Sequence, residues 1–319
     1  FCLFILLLFF KQTLGQLSGS YVVGTTPSDY TTIENAINDL INNGVSGPVV
    51  FNLKAGLYNE EYIDINEIPG ANAVNTIIFQ SETLDSEDVT IEGNGIFEIN
   101  NGVKYLTFRH LKFDTSSSPW SFNPKRAFTI VGGNTTNITI SNCSFISGSS
   151  TNDVVNQNHS YINYISGNNI SIISNTFNSS SAAVYKNTFI DVDNFVFANN
   201  TFTGSMYTPL YMKRINNITI HGNVYNGSVR YRSLYLVSLS GTATISNNKI
   251  FTANQDFDSF FTTYLNASST NDADLVFKNN FLSQNSGLGV ASFNNILIAN
   301  NSFASEQDYC VSITGGNDL

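Results

Sequence analysis

The sequence of 319 residues carries a formal net charge of −10, and only 12% of its residues are charged. Binding to the phosphates of nucleic acid requires clustered lysines and arginines, so this balance argues against a nucleic acid partner. Asparagine accounts for 45 residues, while aromatic residues at 13% argue against disorder. The polar residues must therefore be interleaved with apolar ones in a folded chain.

The first predicted element is a signal peptide. Phe1–Phe10 is an unbroken apolar run, which has the length of a signal-peptide core and is too short to span a bilayer. We expect residues 1–15 to be the signal peptide and Gln16 to start the mature chain, which predicts a secreted, extracellular or cell-surface protein. A buried apolar helix is the alternative. No later apolar stretch approaches the length of a membrane span, so no transmembrane anchor is expected in this chain.

The second predicted element is a helix that caps the fold. Thr31-Thr32-Ile33-Glu34 has the pattern of a capping box. Apolar residues then follow at helical spacing, and Gly44 ends the pattern. We predict a helix over Tyr30–Asn43 inside an N-terminal cap segment, residues 16–48, followed by a strand at Val49–Leu53.

Residues 49–319 contain a repeat of nine positions. Positions 2, 4 and 9 are apolar with one small exception, and position 7 is asparagine in all copies but the first, where it is Cys143. The seven copies are Asn137–Phe145, Asn169–Phe177, Asn194–Phe202, Asn217–Tyr225, Thr242–Ile250, Asp274–Leu282 and Asn295–Phe303. Alternation at positions 2 to 4 indicates a strand, and the break before position 9 indicates a bend, where asparagine is favoured.

The spacing of the copies predicts a solenoid. Position 7 recurs after 32, 25, 23, 25, 32 and 21 residues, which is one turn of a coil with loops of varying length. A single coil cannot bury its apolar face, but coils stacked about 4.8 Å apart can. We therefore predict an all-β fold, a single-stranded right-handed parallel β-helix with an N-terminal capping helix and an asparagine ladder. Because Val311–Ile313 begins another strand shortly before Leu319, we expect further coils or a domain beyond the C-terminal end.

The stretch YTTIENAI followed by GPVVFNLKAGLYNEE, Tyr30–Glu61, resembles the entry segment of the pectin lyase-like superfamily. The resemblance implies the β-helix architecture and a carbohydrate-rich setting. The catalytic motifs of the superfamily's enzymes are absent from this sequence. There is no Asp-Asp or Asp-His dipeptide, His221 lies in His-Gly-Asn, and Arg214-Ile215-Asn216 precedes that histidine.

One group of charged residues is a candidate catalytic site. Asp191 and Arg214 each lie three residues before the first position of a repeat copy. They are 23 residues apart, which is also the separation of the position-7 residues Asn200 and Asn223 in the same two copies. They should be neighbours on adjacent coils, with Asp193 and Lys213 on the same outer face. Such a group could act as a carboxylate and base on a uronate, or it could be a cross-strand ion pair.

Candidate substrate-binding residues lie in loops. Arg230 and Arg232 flank Tyr231 and could grip an acidic sugar, and Trp120 and Tyr231 could stack on sugar rings. The acidic run Asp85–Asp88 lacks the spaced oxygens of a calcium loop. No metal site and no cofactor are predicted; calcium is the one ion that this acidic run suggests, and its spacing does not support a site.

We expect a monomer whose partner is a polysaccharide or cell-surface glycan. The favoured function is a secreted carbohydrate-binding or surface-associated protein without catalysis. The alternatives are a polysaccharide lyase or glycoside hydrolase acting on an acidic polysaccharide, and a structural or adhesive spacer. Cys143 and Cys310 are more than six coils apart, so we expect both thiols to be free.

Overall fold

The computed structural model describes residues 15–116, 126–147, 160–178, 180–251, 263–268, 272–283, 287–304 and 310–315. Within these ranges the chain forms one α-helix and thirty β-strands, wound as a right-handed parallel β-helix. The fold predicted from the repeat, and implied by the resemblance, is confirmed. The described part of the chain contains no helix that is long and apolar enough to cross a membrane.

The helix is α1, Ile33–Asn43. The strands of the first coils are β1 Leu17–Val23, β2 Val45–Leu53, β3 Gly56–Asn59, β4 Ile63–Ile65, β5 Ile77–Ser81, β6 Val89–Glu92, β7 Phe97–Ile99, β8 Lys104–Arg109, β9 Lys112–Asp114 and β10 Phe128–Ile130. The middle coils contain β11 Thr136–Ser141, β12 Ser144–Ile146, β13 Ser160–Tyr164, β14 Asn168–Ile173, β15 Thr176–Phe177, β16 Ala182–Lys186, β17 Val192–Ala198, β18 Thr201–Phe202, β19 Leu210–Lys213, β20 Ile215–His221 and β21 Val224–Tyr225. The last coils contain β22 Leu234–Ser246, β23 Lys249–Phe251, β24 Thr263–Ala267, β25 Ala273–Lys278, β26 Phe281–Ser283, β27 Leu288–Ala291, β28 Asn295–Ala299, β29 Ser302–Ala304 and β30 Val311–Thr314.

The strands form three parallel sheets along the axis, because each strand pairs with its equivalent one coil earlier and one coil later. Sheet A contains β1, β2, β5, β8, β11, β14, β17, β20, β22, β25 and β28. Sheet B contains β3, β6, β9, β12, β15, β18, β21, β23, β26 and β29. Sheet C contains β4, β7, β10, β13, β16, β19, β22, β24, β27 and β30. Strand β22 runs through the corner between sheets C and A and belongs to both.

The interior is built from the apolar positions of the repeat. Position 4 of sheet A forms an inward row in which Ile140, Ile172, Phe197 and Ile220 pair in register and are fully buried. Position 9 forms an internal stack of rings in sheet B, with centroid distances of 4.8, 5.4 and 4.3 Å along Phe145, Phe177, Phe202 and Tyr225. Stacked aromatic pairs contribute about 0.5–1.5 kcal/mol each beyond burial, so this column stabilises the winding of the coils.

The bend between sheets A and B carries the predicted asparagine ladder. In each repeat copy a residue with positive φ turns the chain, as Asn199 does at φ 57°. The next residue is the ladder asparagine in every copy but the first, where it is Cys143. The Asn200 side chain donates to Ile172 O over 2.9 Å, and its Oδ1 accepts from the backbone N of Asn175 over 2.9 Å. The same pattern joins Asn175, Asn200, Asn223, Asn248, Asn280 and Asn301.

The helix caps the coil as predicted but starts later. Its N-cap is Thr32, whose Oγ1 accepts from the backbone N of Asn35 over 3.1 Å, so the helix begins at Ile33 and not at Tyr30. Tyr30 instead forms a parallel bridge to Val23 and donates its hydroxyl to Asp39. The predicted cap segment 16–48 also contains β1 and the start of β2, which pair as the first two strands of sheet A.

The reactivity of the two cysteine thiols tests whether the winding of the chain buries Cys143. Cys143 and Cys310 are free, and burial raises the pKa of the Cys143 thiol to about 12. We expect a folded chain starting at Gln16 to react with a thiol reagent at Cys310 and not at Cys143, because reaction requires an accessible thiolate. Titration of the native protein should count one thiol, and titration in denaturant should count two. Fast modification of Cys143 in the native protein would contradict the buried position.

Candidate functional site

Four tyrosines form a row on the outer face of sheet C. Tyr185, Tyr211, Tyr235 and Tyr264 pair in register on β16, β19, β22 and β24. Their ring centroids are 5.1, 4.7 and 5.7 Å apart, with interplanar angles of 20° to 22°. Outward positions recur at the strand spacing, so one tyrosine per coil produces a continuous stack. We call these four residues the tyrosine ladder.

The tyrosine ladder exposes its hydroxyl groups to solvent more than its ring faces. The two inner rings, Tyr211 and Tyr235, each have both faces covered by neighbouring rings. Asn187 Nδ2 donates to the Tyr185 hydroxyl over 3.0 Å, and Asn266 Nδ2 donates to the Tyr264 hydroxyl over 3.3 Å. Burial raises the pKa of Tyr185, Tyr211 and Tyr235, so these phenols keep their protons and can donate hydrogen bonds.

Two cations lie against the ladder. The Arg232 guanidinium is 4.8 Å from the ring centroid of Tyr231, 4.9 Å from that of Tyr235 and 4.8 Å from that of Tyr264. Lys213 Nζ is 5.4 Å from the centroid of Tyr211. In the ranges that the structure describes, neither cation makes an ion pair with a carboxylate, and Arg232 Nε has no hydrogen-bond partner. The ladder, Lys213 and Arg232 together are the tyrosine face.

The predicted contact between Asp191 and Arg214 is confirmed. Arg214 lies in the corner between β19 and β20, and its Nε and Nη2 donate to the two carboxylate oxygens of Asp191 over 2.8 and 2.9 Å. This bidentate pair lowers the pKa of Asp191 through the hydrogen bond from Arg214. Asp191 is therefore ionised, and each of its carboxylate oxygens accepts a hydrogen bond from Arg214, which suits it poorly to act as a general base.

The other two predicted catalytic residues make separate contacts. Asp193 Oδ1 accepts from Asn216 Nδ2 over 2.7 Å, one coil further along. Lys213 lies over Tyr211 and so belongs to the tyrosine face. Of the four candidate residues, only Asp191 and Arg214 contact each other in the structure.

Of the predicted substrate-binding residues, Tyr231 and Arg232 lie at the tyrosine face. Tyr231 stacks on Tyr207 with centroids 5.4 Å apart and also contacts Arg232. The backbone N of Arg230 donates to Met206 O over 2.9 Å, which fixes the segment one coil after Tyr207. Trp120 lies outside the described residues.

Two further regions have only structural contacts. His221 Nδ1 lies 3.0 Å from Ser246 Oγ on the next coil. In the run Asp85–Asp88, Asp88 accepts from Thr83, and Glu87 forms an ion pair with Lys112 at 2.8 Å. Among the described residues, no group of three or more His, Cys, Asp or Glu side chains is placed to hold a metal ion.

Sequence reasoning missed the tyrosine ladder, although the sequence contains a signal for it. The four tyrosines recur after 26, 24 and 29 residues, which matches the length of one coil. The repeat that revealed the fold covers sheets A and B only. The strands of sheet C lie between the copies of this repeat, so the repeat does not align the outward residues of sheet C from one coil to the next.

No protein-family model and no curated protein sequence matches the chain. Among solved structures, the chain is similar to the pectin methylesterase from Aspergillus niger in deglycosylated form, with 13% identity, a TM-score of 0.38 and coverage of 95% of this chain and 86% of that one. The penultimately deglycosylated form of that protein gives 13% identity, a TM-score of 0.39 and coverage of 96% and 86%. At this level of similarity we transfer no residue role.

Proposed function

We propose that the chain is an extracellular carbohydrate-binding β-helix that holds an acidic glycan along the outer face of sheet C. The observation that supports this proposal is the tyrosine face, where Lys213 and Arg232 lie beside a row of phenol hydroxyls and pair with no carboxylate of the described part of the chain. The predicted signal peptide at residues 1–15 supports an extracellular location.

The chemistry of this face fits a polymer of uronate sugars. Lysine and arginine recognise carboxylates, and neutral phenols and amides recognise hydroxyls. The phenols recur along the axis at the strand spacing of about 4.8 Å. Lys213 and Arg232 lie beside them in two successive coils, so a linear chain can meet hydroxyls and a cation in each of these coils. Because the protein's net charge is −10, a polyanion is repelled by most of the surface and favoured where the cations are unpaired.

Binding to polygalacturonate tests the proposal. We expect the wild-type protein to bind polygalacturonate and not dextran, and binding to weaken as NaCl rises from about 50 to about 300 mM. Arg232→Ala and Lys213→Ala should each raise Kd about tenfold, because each removes a cation facing the polymer. Lys278→Ala removes an exposed lysine of sheet A and serves as the matched control. Isothermal titration calorimetry measures all four proteins.

The outcomes separate the candidate functions. Equal affinity of the wild type and both face variants would contradict the tyrosine face as the binding surface, and no binding to any glycan would favour the structural or adhesive spacer. The same proteins are assayed for unsaturated products and new reducing ends, with and without calcium. We expect no turnover, since Arg214 is held by Asp191. Product that disappears in Arg214→Ala would support the lyase or hydrolase instead.

A further inference from the structure

The corner between sheets C and A varies in length from coil to coil, and it is longer between β16 and β17 than in the two coils that follow. Between β19 and β20 this corner consists of Arg214 alone, and β22 passes through it without interruption. Between β16 and β17 it consists of residues 187–191, which therefore project from the surface. Phe189 is 90% exposed, the highest value among the large hydrophobic side chains that the structure describes, and Ile190 is 47% exposed.

The loop is held by hydrogen bonds on both sides of Phe189. Lys186 is fully buried, and its Nζ donates to Thr188 Oγ1 over 3.0 Å, to Ile190 O over 2.8 Å and to Lys213 O over 2.9 Å. Thr188 Oγ1 in turn donates to Ile165 O over 2.7 Å. The exposed phenylalanine therefore sits on a loop that is anchored at its base.

The neighbours of the loop also tie it to the tyrosine face. Asn187 donates to the hydroxyl of Tyr185, the first residue of the ladder, and Asp191 is held by Arg214. Lys186 reaches the carbonyl of Lys213, which is itself part of the tyrosine face. Phe189 thus stands beside the Tyr185 end of that face.

We propose that Phe189 is a stacking platform for one sugar ring of the acidic glycan, at the Tyr185 end of the tyrosine face. This inference rests on the proposed function. The inner rings of the ladder cover one another's faces, so they can offer a sugar mainly edges and hydroxyls. Phe189 supplies an aromatic face in water, which suits the apolar C–H face of a pyranose ring, while the Asn187 amide and the ion pair of Arg214 lie beside it for polar groups.

The surroundings of Phe189 favour a sugar over an apolar partner. A lipid surface or a protein interface is marked by a contiguous apolar patch of several hundred Å². Here Phe189 and Ile190 are flanked by Asn187, Thr188 and Asp191, so the apolar area is small and bordered by polar groups. An amphipathic ring matches that arrangement, and anchoring the loop in advance lowers the entropy lost on binding.

The test compares three substitutions of Phe189 in binding to a galacturonate oligomer. We expect Phe189→Ala and Phe189→Leu to raise Kd about tenfold, because both remove the aromatic face on which the ring would rest. Phe189→Trp should retain wild-type affinity within about twofold, since tryptophan restores the face. Tyr62→Ala, at an aromatic residue that is 60% exposed and directly precedes β4, four coils away, should leave Kd unchanged. Thermal melts establish that all variants fold.

Each result separates this inference from the function on which it rests. Unchanged affinity in Phe189→Ala, with Arg232→Ala still weakened, would overturn the stacking role and leave the tyrosine face intact. Loss in the alanine variant with full retention in the leucine variant would also overturn it, because an apolar contact would then be sufficient. Failure of the wild-type protein to bind the oligomer would overturn the proposed function, and the stacking role with it, before any variant is made.

Discussion

Replacing Asn223 by leucine is expected to lower the free energy of unfolding by about 3–5 kcal/mol, because it leaves several buried polar groups without partners. The Asn223 side chain is fully buried. Its Nδ2 donates to Phe197 O over 2.9 Å and to Asn248 Oδ1 over 2.9 Å, and its Oδ1 accepts from the backbone N of Asn200 over 2.9 Å. Leucine has nearly the same size but can make none of these bonds.

The matched control is Asn226→Leu. Asn226 is exposed and lies three residues after Asn223, directly after the end of β21. We expect this substitution to change the free energy of unfolding by less than about 0.5 kcal/mol. Urea melts of the two variants and the wild type measure the difference. Equal urea midpoints for both variants would contradict the role of the asparagine ladder in joining successive coils.

The winding of the chain could be predicted because one short pattern controls it. Apolar residues at positions 2, 4 and 9 must face the interior of every coil, and asparagine at position 7 must satisfy a buried bend. Both demands recur with each coil, so they appear in the sequence as a repeat. The contact between Asp191 and Arg214 could be predicted for the same reason, because the ladder step of 23 residues fixed which residues lie side by side.

The candidate site was harder to predict because it depends on strands outside the repeat. The register of sheet C follows from the loops that lead into it, and these vary in length from coil to coil. The spacing of the nine-position repeat therefore does not predict that Tyr185 and Tyr211 stack, or that Lys213 lies over Tyr211. The helix start shows a similar limit. The predicted capping box made Thr31 the cap, with Glu34 three residues later, and this was wrong because the backbone makes Thr32 the N-cap and places its hydroxyl beside Asn35 N.

Lys186→Met is expected to destabilise the protein by about 2–4 kcal/mol near pH 10 and by less near pH 7. Methionine is similar in length but leaves the carbonyls of Ile190 and Lys213 without their donor. Burial opposes the charge on the lysine, so the pKa of Lys186 is lowered from 10.5 to about 8. Below pH 8 the wild type therefore bears the cost of a buried charge, which partly offsets the hydrogen bonds that the lysine makes.

The direction of the pH dependence follows from which state binds the proton. Between about pH 8 and about pH 10.5 the unfolded lysine is protonated and the folded one is not, so unfolding takes up a proton and Lys186 makes stability rise with pH. Methionine does not titrate, and all other groups are common to both proteins. The difference in free energy of unfolding between wild type and Lys186→Met should therefore grow across this interval.

Urea melts of both proteins at about pH 7, 8.5 and 10 measure that difference, and Lys278→Met, at an exposed lysine of β25, is the matched substitution measured beside it. A difference for Lys186 that is independent of pH, or that shrinks as pH rises, would contradict a buried lysine that loses its proton in the folded state. Because the same amino group anchors the loop of residues 187–191, Lys186→Met should also weaken binding to the galacturonate oligomer even where the variant remains folded. Phe189 would then keep its exposed ring but lose the support that fixes it beside the tyrosine face.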